Sequence, residues 1–314
     1  MSTATGLAYL SDRTSIDCVC GNSGGFTIRR TDRHGLKFRY KICLECGHVR
    51  TSNPLSTESA RRFYSSSDYR SMYFPGETPK DVLIRKTPKP NTVSPLLRYV
   101  QQLQIETGNL VEWGCGGGWN LVPFRDAGWS VQGFDYDRPY IELGRSLLGL
   151  QLDEIPTEGS GTQVDQPDVI VLNHVLEHAI DPKVLLQRLH NLCSDATTLV
   201  VGVPLLETIP IWHWRDFFHV AHIHYFSAES LVRVATQSGF QITHSDIQNG
   251  MFSLKKNAAV DSPPPSKNAV LRSSILLMKG FVEPPYRTRQ LIRQTLAAFR
   301  LLHLARRLKK RVAG

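Results

Sequence analysis

Between residues 92 and 256, short apolar runs alternate with longer segments of helical periodicity. The apolar runs predict seven strands, at residues 109–113, 131–134, 150–154, 169–172, 198–203, 240–246 and 251–256. Helical spacing predicts the segments between them, at residues 92–106, 120–127, 138–148, 182–192 and 228–238. This alternation predicts an α/β fold: a Rossmann-like, seven-stranded, mostly parallel sheet with helices on both faces and one antiparallel strand near its end.

A glycine-rich turn follows the first predicted strand, and an acidic residue ends the second. Glu112 precedes Gly114, Gly116 and Gly118, while Asp135 stands at the tip of the next strand. A strand, a glycine turn, a helix and a carboxylate in this order are typical of a nucleoside-binding site. A dinucleotide-binding turn requires a third glycine at the position of Trp119, so the pattern favours a different nucleoside ligand.

The pattern E-x-G-x-G-x-G resembles the first motif of class I S-adenosylmethionine-dependent methyltransferases. The resemblance implies S-adenosylmethionine as the cofactor, held by Glu112, Gly114, Gly116, Gly118, Trp119, Asp135 and Tyr136. Glycines would let the backbone touch the methionine moiety and the ribose. The following helix would turn its N-terminus toward the cofactor carboxylate. The Asp135 carboxylate would accept hydrogen bonds from both ribose hydroxyls.

The strand at residues 169–172 runs into the segment Asn173-His174-Val175-Leu176-Glu177-His178. The segment resembles the N-x-x-L-E-H element of one large methyltransferase subgroup. Because ligands bind beyond the carboxyl ends of parallel strands, Asn173 and His174 are predicted to contact the cofactor or the substrate. Glu177 and His178 either join that site or cap the following turn.

Residues 212–227 contain four of the eleven histidines and six aromatic residues, and they follow the fifth predicted strand on the ligand side. Transfer to a hydroxyl requires a general base, a role that histidine fills near neutral pH. His222 is the first candidate, followed by His219 and His224, with His174 as an alternative. Predicted substrate contacts are Arg215, Trp212, Trp214 and Tyr73. The alternative is that these histidines satisfy a buried polar core or bind a metal.

Four of the six cysteines lie in the first 46 residues, as the pairs Cys18, Cys20 and Cys43, Cys46. In an intracellular chain, paired cysteines around a short hairpin predict a zinc ribbon. Asp17 is an alternative to Cys18 as a ligand. The other interpretations are reduced, unligated cysteines or a disulfide. His48 is a weak substitute ligand and is expected at the surface.

Three features follow one another in the first part of the chain: the pair Cys43–Cys46, a break in the chain's regular structure at Asn53-Pro54, and the region of Tyr64 and Tyr69. This order resembles the start of bacterial methyltransferases with a zinc-binding leader. Many members of that group act in sugar and surface-polysaccharide pathways, and the resemblance runs from about residue 17 to 256. It implies that the tyrosine-rich stretch packs over the cofactor pocket as a lid.

Charge separates the C-terminal tail from the rest. The chain has 37 basic and 28 acidic residues; residues 287–314 hold nine of the basic and none of the acidic ones, which leaves the remainder neutral. The tail has helical apolar spacing, so an anionic membrane surface is the favoured partner, docking on the domain or a dimer partner comes next, and nucleic acid is disfavoured. The oligomeric state is not predicted.

The sequence predicts five segments. They are a zinc-ribbon-like leader (1–52), an aromatic lid (53–91), the methyltransferase domain (92–258), a proline-rich linker (259–270) and a basic amphipathic tail (271–314).

These observations predict a cytoplasmic methyltransferase, peripheral at the inner membrane face, that methylates a sugar oxygen in a nucleotide sugar or a lipid-linked glycan. The absence of a secretory signal and of a long apolar run supports the location. Alternative functions are an RNA methyltransferase, a sugar C-methyltransferase and a non-catalytic cofactor-binding module.

Overall fold

A computed structural model describes residues 8–65, 67–90, 92–156, 166–209, 214–257, 264, 266 and 268–281. The chain divides into two units, Met1–Leu276 and Leu277–Gly314. In the second unit, the described residues are the last turn of a helix. The predicted tail helix at residues 287–312 therefore lies outside the described residues.

The first part of the chain forms short strands and then helices. The strands are β1 (Phe26–Thr31), β2 (Lys37–Ile42) and β3 (Val49–Thr51). The helices are α1 (Thr57–Ser65), α2 (Ser67–Tyr73) and α3 (Pro79–Lys86). Thr78 caps α3 in a reciprocal arrangement with Asp81, which fixes where that helix begins.

Strands and helices then alternate as predicted. The elements are α4 (Pro95–Gln102), β4 (Asn109–Trp113), α5 (Val122–Asp126), β5 (Ser130–Asp135), α6 (Arg138–Leu148), β6 (Gln151–Glu154), β7 (Val169–Asn173), α7 (Pro182–Leu192), β8 (Thr198–Gly202), α8 (Trp214–Phe217), β9 (His224–Tyr225), α9 (Ala228–Gln237), β10 (Phe240–Asp246), β11 (Met251–Lys256) and α10 (Ala269–Phe281). The predicted bounds of β4, β10, β11, α6 and α7 are confirmed. Ser94 caps α4 by accepting a hydrogen bond from the Leu97 amide at 3.1 Å.

The large sheet has the order β10-β11-β8-β7-β4-β5-β6. Strands β4 to β8 pair in parallel, whereas β11 is antiparallel to both β8 and β10. Strand β8 is buried along its whole length, as expected for a strand covered on both faces. This arrangement confirms the predicted Rossmann-like, seven-stranded, mostly parallel sheet.

One predicted helix is much shorter than expected. Residues 120–127 were predicted to be helical, but α5 begins at Val122 and has five residues. Asn120 and Leu121 instead lie in turns after the glycine loop. A helix this short contributes little dipole, so the expected attraction between its N-terminus and the cofactor carboxylate is not supported.

The predicted hairpin is present as β1 and β2, and it is part of a second, four-stranded sheet. Its order is β1-β2-β3-β9, and all of its pairings are antiparallel. Strand β9 comes from the histidine-rich segment about 170 residues further along the chain. The leader and the substrate side are therefore parts of one sheet. In the described part of the chain, no helix is long and apolar enough to cross a bilayer.

Candidate active site

The glycine loop after β4 has a left-handed backbone that glycine adopts without strain. Gly114 and Gly116 have φ angles of 80° and 56°. A Cβ atom on Gly114 would lie 2.3 Å from a methyl group of Val175, and one on Gly116 would lie 2.7 Å from the Trp119 ring. Contacts within the protein therefore also require glycine here.

Asp135 stands at the end of β5 and faces this loop. Its carboxylate accepts hydrogen bonds from the backbone amides of Gly116 at 2.7 Å and Asp137 at 2.8 Å. Burial raises the pKa of the Asp135 carboxyl, while the two amides oppose that change. Each oxygen keeps a second lone pair, so the predicted contact with ribose hydroxyls is compatible with this position.

Glu112 lies at the base of the loop and is buried. One of its oxygens accepts a hydrogen bond from the Asn120 amide at 2.8 Å, and the other, Oε2, has no hydrogen-bond partner in the described chain. Burial raises the pKa of Glu112 to about 8. The side-chain oxygen of Asn173, at the end of β7, is also buried and unpartnered among the described residues. A buried acceptor without a donor is costly, so both oxygens fit a ligand that carries ammonium or hydroxyl groups, as S-adenosylmethionine does.

Trp119 and Tyr136 are the aromatic residues near the loop, and they differ in how deeply they are buried. The Trp119 ring is half-buried and packs edge-on against Tyr140, with ring centroids 5.8 Å apart. Tyr136 follows Asp135 and is 64% exposed, so its ring is available to cover a bound nucleoside. Cofactor contacts by Trp119 and Tyr136 stay predictions.

The turn after β7 concentrates unusual features. His174 has a φ of 56°, which is strained for a residue with a Cβ. Its Nδ1 lies 3.3 Å from Glu177 Oε1, and this hydrogen bond raises the pKa of His174. Glu177 is completely buried beside His174. The turn places His174 and Glu177 beside Val175, which contacts the glycine loop.

Two of the predicted catalytic histidines line one cavity of about 320 Å³. Its lining consists of Pro204, Thr208, Ile209, Asp216, Phe217, His219 and His222. The cavity lies beyond the carboxyl end of β8, where substrates of parallel-sheet enzymes bind. Burial lowers the pKa of His219 to about 2 and that of His222 well below its ordinary value. Both rings are therefore neutral near pH 7.

His224, the third predicted base, lies elsewhere. Its ring is buried, packs against Phe226, and hydrogen-bonds His48 at 2.9 Å between Nδ1 and Nε2. Burial lowers the pKa of His224 to about 4. His224 is not among the residues that line the cavity, so the structure assigns it to the second sheet. His48, expected at the surface, is 1% exposed, which corrects that prediction.

Aromatic residues of the predicted lid reach the cavity. The Tyr73 hydroxyl of α2 is within hydrogen-bonding distance of both ring nitrogens of His219. The Tyr64 hydroxyl of α1 lies 3.2 Å from His178 Nδ1, and Tyr69 packs between Tyr64 and Tyr73. Of the predicted substrate residues, Trp212 lies outside the described residues, as do the side chains of Trp214 and Arg215.

The four leader cysteines converge on one point. Their sulfur atoms lie within 4.8 Å of one another, with Cys18 and Cys46 at 3.4 Å and Cys20 and Cys43 at 3.7 Å. A disulfide requires about 2.05 Å, so the sulfurs are unbonded. Tetrahedral zinc with bonds of about 2.3 Å places sulfurs about 3.8 Å apart, close to these separations. The cluster uses Cys18, whereas Asp17 is exposed.

The leader hydrogen-bonds the segment that carries the predicted catalytic histidines, a feature that sequence reasoning missed. We call residues 219–225 the histidine strap. The Thr51 amide of β3 donates to the Ile223 carbonyl at 2.8 Å, and the Thr51 hydroxyl donates to the His222 carbonyl at 2.9 Å. The Val220 amide donates to Asp32 at 3.2 Å. The strap is thus one edge of the leader's sheet, and no pattern in the sequence marks a two-residue strand.

The fold and the loop define an α/β enzyme that binds a nucleoside at the carboxyl ends of its strands. A profile of the family described as "Methyltransferase domain" matches residues 88–245, and the chain belongs to this family. It is a methyltransferase, and S-adenosylmethionine is its cofactor. No curated protein matches the chain significantly.

Solved structures of methyltransferases resemble the chain at low identity. A magnesium protoporphyrin IX methyltransferase from Synechocystis with bound SAH has 15% identity and a TM-score of 0.44, covering 64% of this chain and 100% of that one. An amino pentose methyltransferase from Micromonospora echinaspora has 12% identity and a TM-score of 0.43, covering 60% and 96%. The 1,6-didemethyltoxoflavin-N1-methyltransferase from Burkholderia thailandensis has 15% identity and a TM-score of 0.45, covering 69% and 97%. Similarity at this level does not indicate a substrate.

Proposed function

We propose that the enzyme transfers the methyl group of S-adenosylmethionine to a hydroxyl of a sugar, carried either on a nucleotide or on a lipid. The supporting observation is that His219 and His222 line one cavity beyond the carboxyl end of β8. Its size is at the lower end of small-molecule sites, which suits a single sugar ring. Phe217 and Pro204 in its wall offer apolar surface for the face of such a ring.

The proposed reaction is an in-line displacement on an activated methyl donor. The protein must therefore align the acceptor oxygen with the methyl group and remove its proton. Asp135 would hold the ribose hydroxyls, while Glu112 and Asn173 would accept hydrogen bonds from the donor's amino-acid end. One of the two cavity histidines would accept the proton, since both rings line the cavity and are neutral near pH 7.

We also propose that the four-cysteine cluster binds structural zinc. A zinc ion with four thiolates carries two negative charges, and two buried arginines contact the backbone of the cysteine loops. Arg50 donates to the carbonyls of Ser23 at 3.1 Å and Gly24 at 3.2 Å, and Arg233 donates to the Cys46 carbonyl at 3.4 Å. Two of the Arg50 nitrogens have no hydrogen-bond partner in the described chain, so its charge suits a neighbouring anion.

The basic tail supports a location at the membrane. We propose that residues 287–312 bind an anionic lipid surface, since they carry nine of the basic residues and no acidic ones. This position would bring the enzyme to lipid-linked glycans on the cytoplasmic face. Cosedimentation of the full chain with anionic and with neutral vesicles tests the proposal; equal binding to both would overturn it.

Replacing Asp135 with alanine is expected to weaken cofactor binding by about tenfold to hundredfold, because hydrogen bonds to a charged acceptor contribute about 1.5–3 kcal/mol. Isothermal titration calorimetry with S-adenosylmethionine measures the change. Asp195→Ala removes an exposed aspartate before β8 and serves as the matched control. Unchanged affinity in a folded Asp135→Ala protein would remove the role assigned to this carboxylate.

The acceptor class can be tested with radiolabelled S-adenosylmethionine. The full chain is incubated with a panel of nucleotide sugars, with lipid-linked sugars in vesicles and with total RNA. We expect label in a sugar fraction, and mass spectrometry of that product should place the methyl group on oxygen. Label that enters only RNA, or a methyl group bound to carbon, would contradict the proposed function.

A further inference from the structure

A second cluster of potential metal ligands includes His222, which lines the cavity. Glu177 is completely buried, and its Oε1 lies 3.9 Å from Nε2 of His178 and 3.9 Å from Nε2 of His222. The three ligand atoms lie within 4.8 Å of one another. Among the described residues, the ion-pair partners of Glu177 are histidines alone.

The hydrogen bonds leave this cluster with unmatched acceptors. His178 Nδ1 lies 2.8 Å from the Ala221 carbonyl, which only accepts, so Nδ1 carries the proton. In the neutral His178 ring, Nε2 then carries a lone pair, and this lone pair faces Glu177 Oε1. The separation of 3.9 Å exceeds that of a hydrogen bond. Glu177 Oε2 also has no hydrogen-bond partner in the described chain. Electron pairs that face each other in a buried space are stabilised by a cation between them.

The geometry suits a metal ion better than a direct ion pair. Zinc-class ions bind histidine nitrogen and carboxylate oxygen at about 2.0–2.2 Å, which places neighbouring ligand atoms about 3.0–3.6 Å apart. The two separations of 3.9 Å from Glu177 lie just above that range. A metal-binding histidine usually donates its other N–H to a carbonyl or carboxylate, as His178 does to Ala221.

We propose that Glu177, His178 and His222 bind a divalent transition-metal ion whose open coordination position faces the cavity. His222 lines that cavity, so a bound ion there is accessible to an acceptor oxygen. Two imidazoles and one carboxylate favour zinc, cobalt, nickel, iron or manganese over calcium. The role of the ion in the reaction rests on the proposed function. The ion would lower the pKa of the acceptor hydroxyl. Since His222 would bind the ion, His219 would be the histidine left to act as the base. Metal binding itself is independent of the substrate.

Co²⁺ is a suitable probe because its visible spectrum reports its ligands. The full chain is first given one equivalent of zinc, which the four thiolates take because they bind zinc more tightly than the histidine site does, and it is then dialysed so that Co²⁺ meets an empty histidine site. We then expect one Co²⁺ per chain, with d–d absorption and no thiolate-to-cobalt charge-transfer band. No uptake of Co²⁺, or uptake only with the thiolate band, would overturn the proposal.

Variants assign the ligands. Glu177→Gln and, separately, His222→Gln are expected to weaken Co²⁺ binding more than tenfold, whereas His244→Gln, an exposed histidine on β10, should leave it unchanged. Circular dichroism and cofactor affinity verify folding. If a variant does not fold, modulation of the electron spin echo by histidine nitrogen in the wild-type cobalt complex decides, and its absence would overturn the site. Co²⁺ binding without sugar methylation would count against the proposed function alone, and the reverse result would count against the cation site alone.

Discussion

Replacing His219 with asparagine is expected to lower kcat for methyl transfer by about a hundredfold to ten-thousandfold, the usual contribution of a general base. Its ring lines the cavity, and burial lowers its pKa, so the imidazole is neutral near pH 7, the state in which a general base has a free lone pair. Asparagine preserves polarity and approximate size but is not a base at neutral pH. Single-turnover methyl transfer with saturating cofactor measures the effect.

The pH dependence gives a second measure of the same role. A histidine whose pKa is lowered keeps its neutral form as the pH falls, and it becomes protonated only near the lowered value. The rate should therefore show no loss from His219 protonation near pH 6.5, where an ordinary histidine titrates. His244→Asn is the matched control, and its rate should equal that of the wild type. A fall in rate near pH 6.5 that disappears in His219→Asn would contradict a buried, neutral base.

Removing the leader zinc is expected to abolish methyl transfer. The affinity for the cofactor should stay within about threefold of the wild-type value, a change smaller than the tenfold that corresponds to about 1.4 kcal/mol of binding free energy. The change is the double replacement Cys43→Ser with Cys46→Ser. Structural zinc contributes about 10–16 kcal/mol to small domains of this kind, far more than three short strands supply. Without it, β3 loses its support and releases the histidine strap, whereas the glycine loop and Asp135 belong to the other sheet.

Zinc content, cofactor titration and methyl transfer together measure this prediction. Cys193→Ser is the control, since that cysteine is buried at the end of α7 and lies outside the cluster. It should retain zinc and activity. Full activity in a zinc-free double variant would show that the strap holds its position without the leader.

The large sheet was predictable from the sequence because its strands are local features. Strands β7 and β8 contain continuous apolar runs, the other strands contain shorter ones, and glycine, proline or capping residues mark the helix ends. The cofactor loop was predictable for the same reason: Glu112, the glycines and Asp135 occur at short, fixed spacings. Helix α5 was predicted too long because apolar residues at helical spacing do not reveal that the turn continues to Leu121.

The link between the leader and the catalytic segment could not be predicted. Strand β9 has two residues, too few for any periodicity, and it pairs with β3 across some 170 residues of chain. His48 looked like a surface residue because burial of a histidine depends on a distant partner, here His224. Metal binding by the histidines could be considered from the residue types alone. The cluster of Glu177, His178 and His222 could not be predicted, because only the folded chain brings these residues together.

A crystal structure of the full chain with S-adenosylhomocysteine tests the central claim most directly. The account predicts the nucleoside against the glycine loop, with both ribose hydroxyls on the Asp135 carboxylate and the amino-acid end beside Glu112. Product bound at another place, or an Asp135 side chain turned away from the ribose, would contradict it.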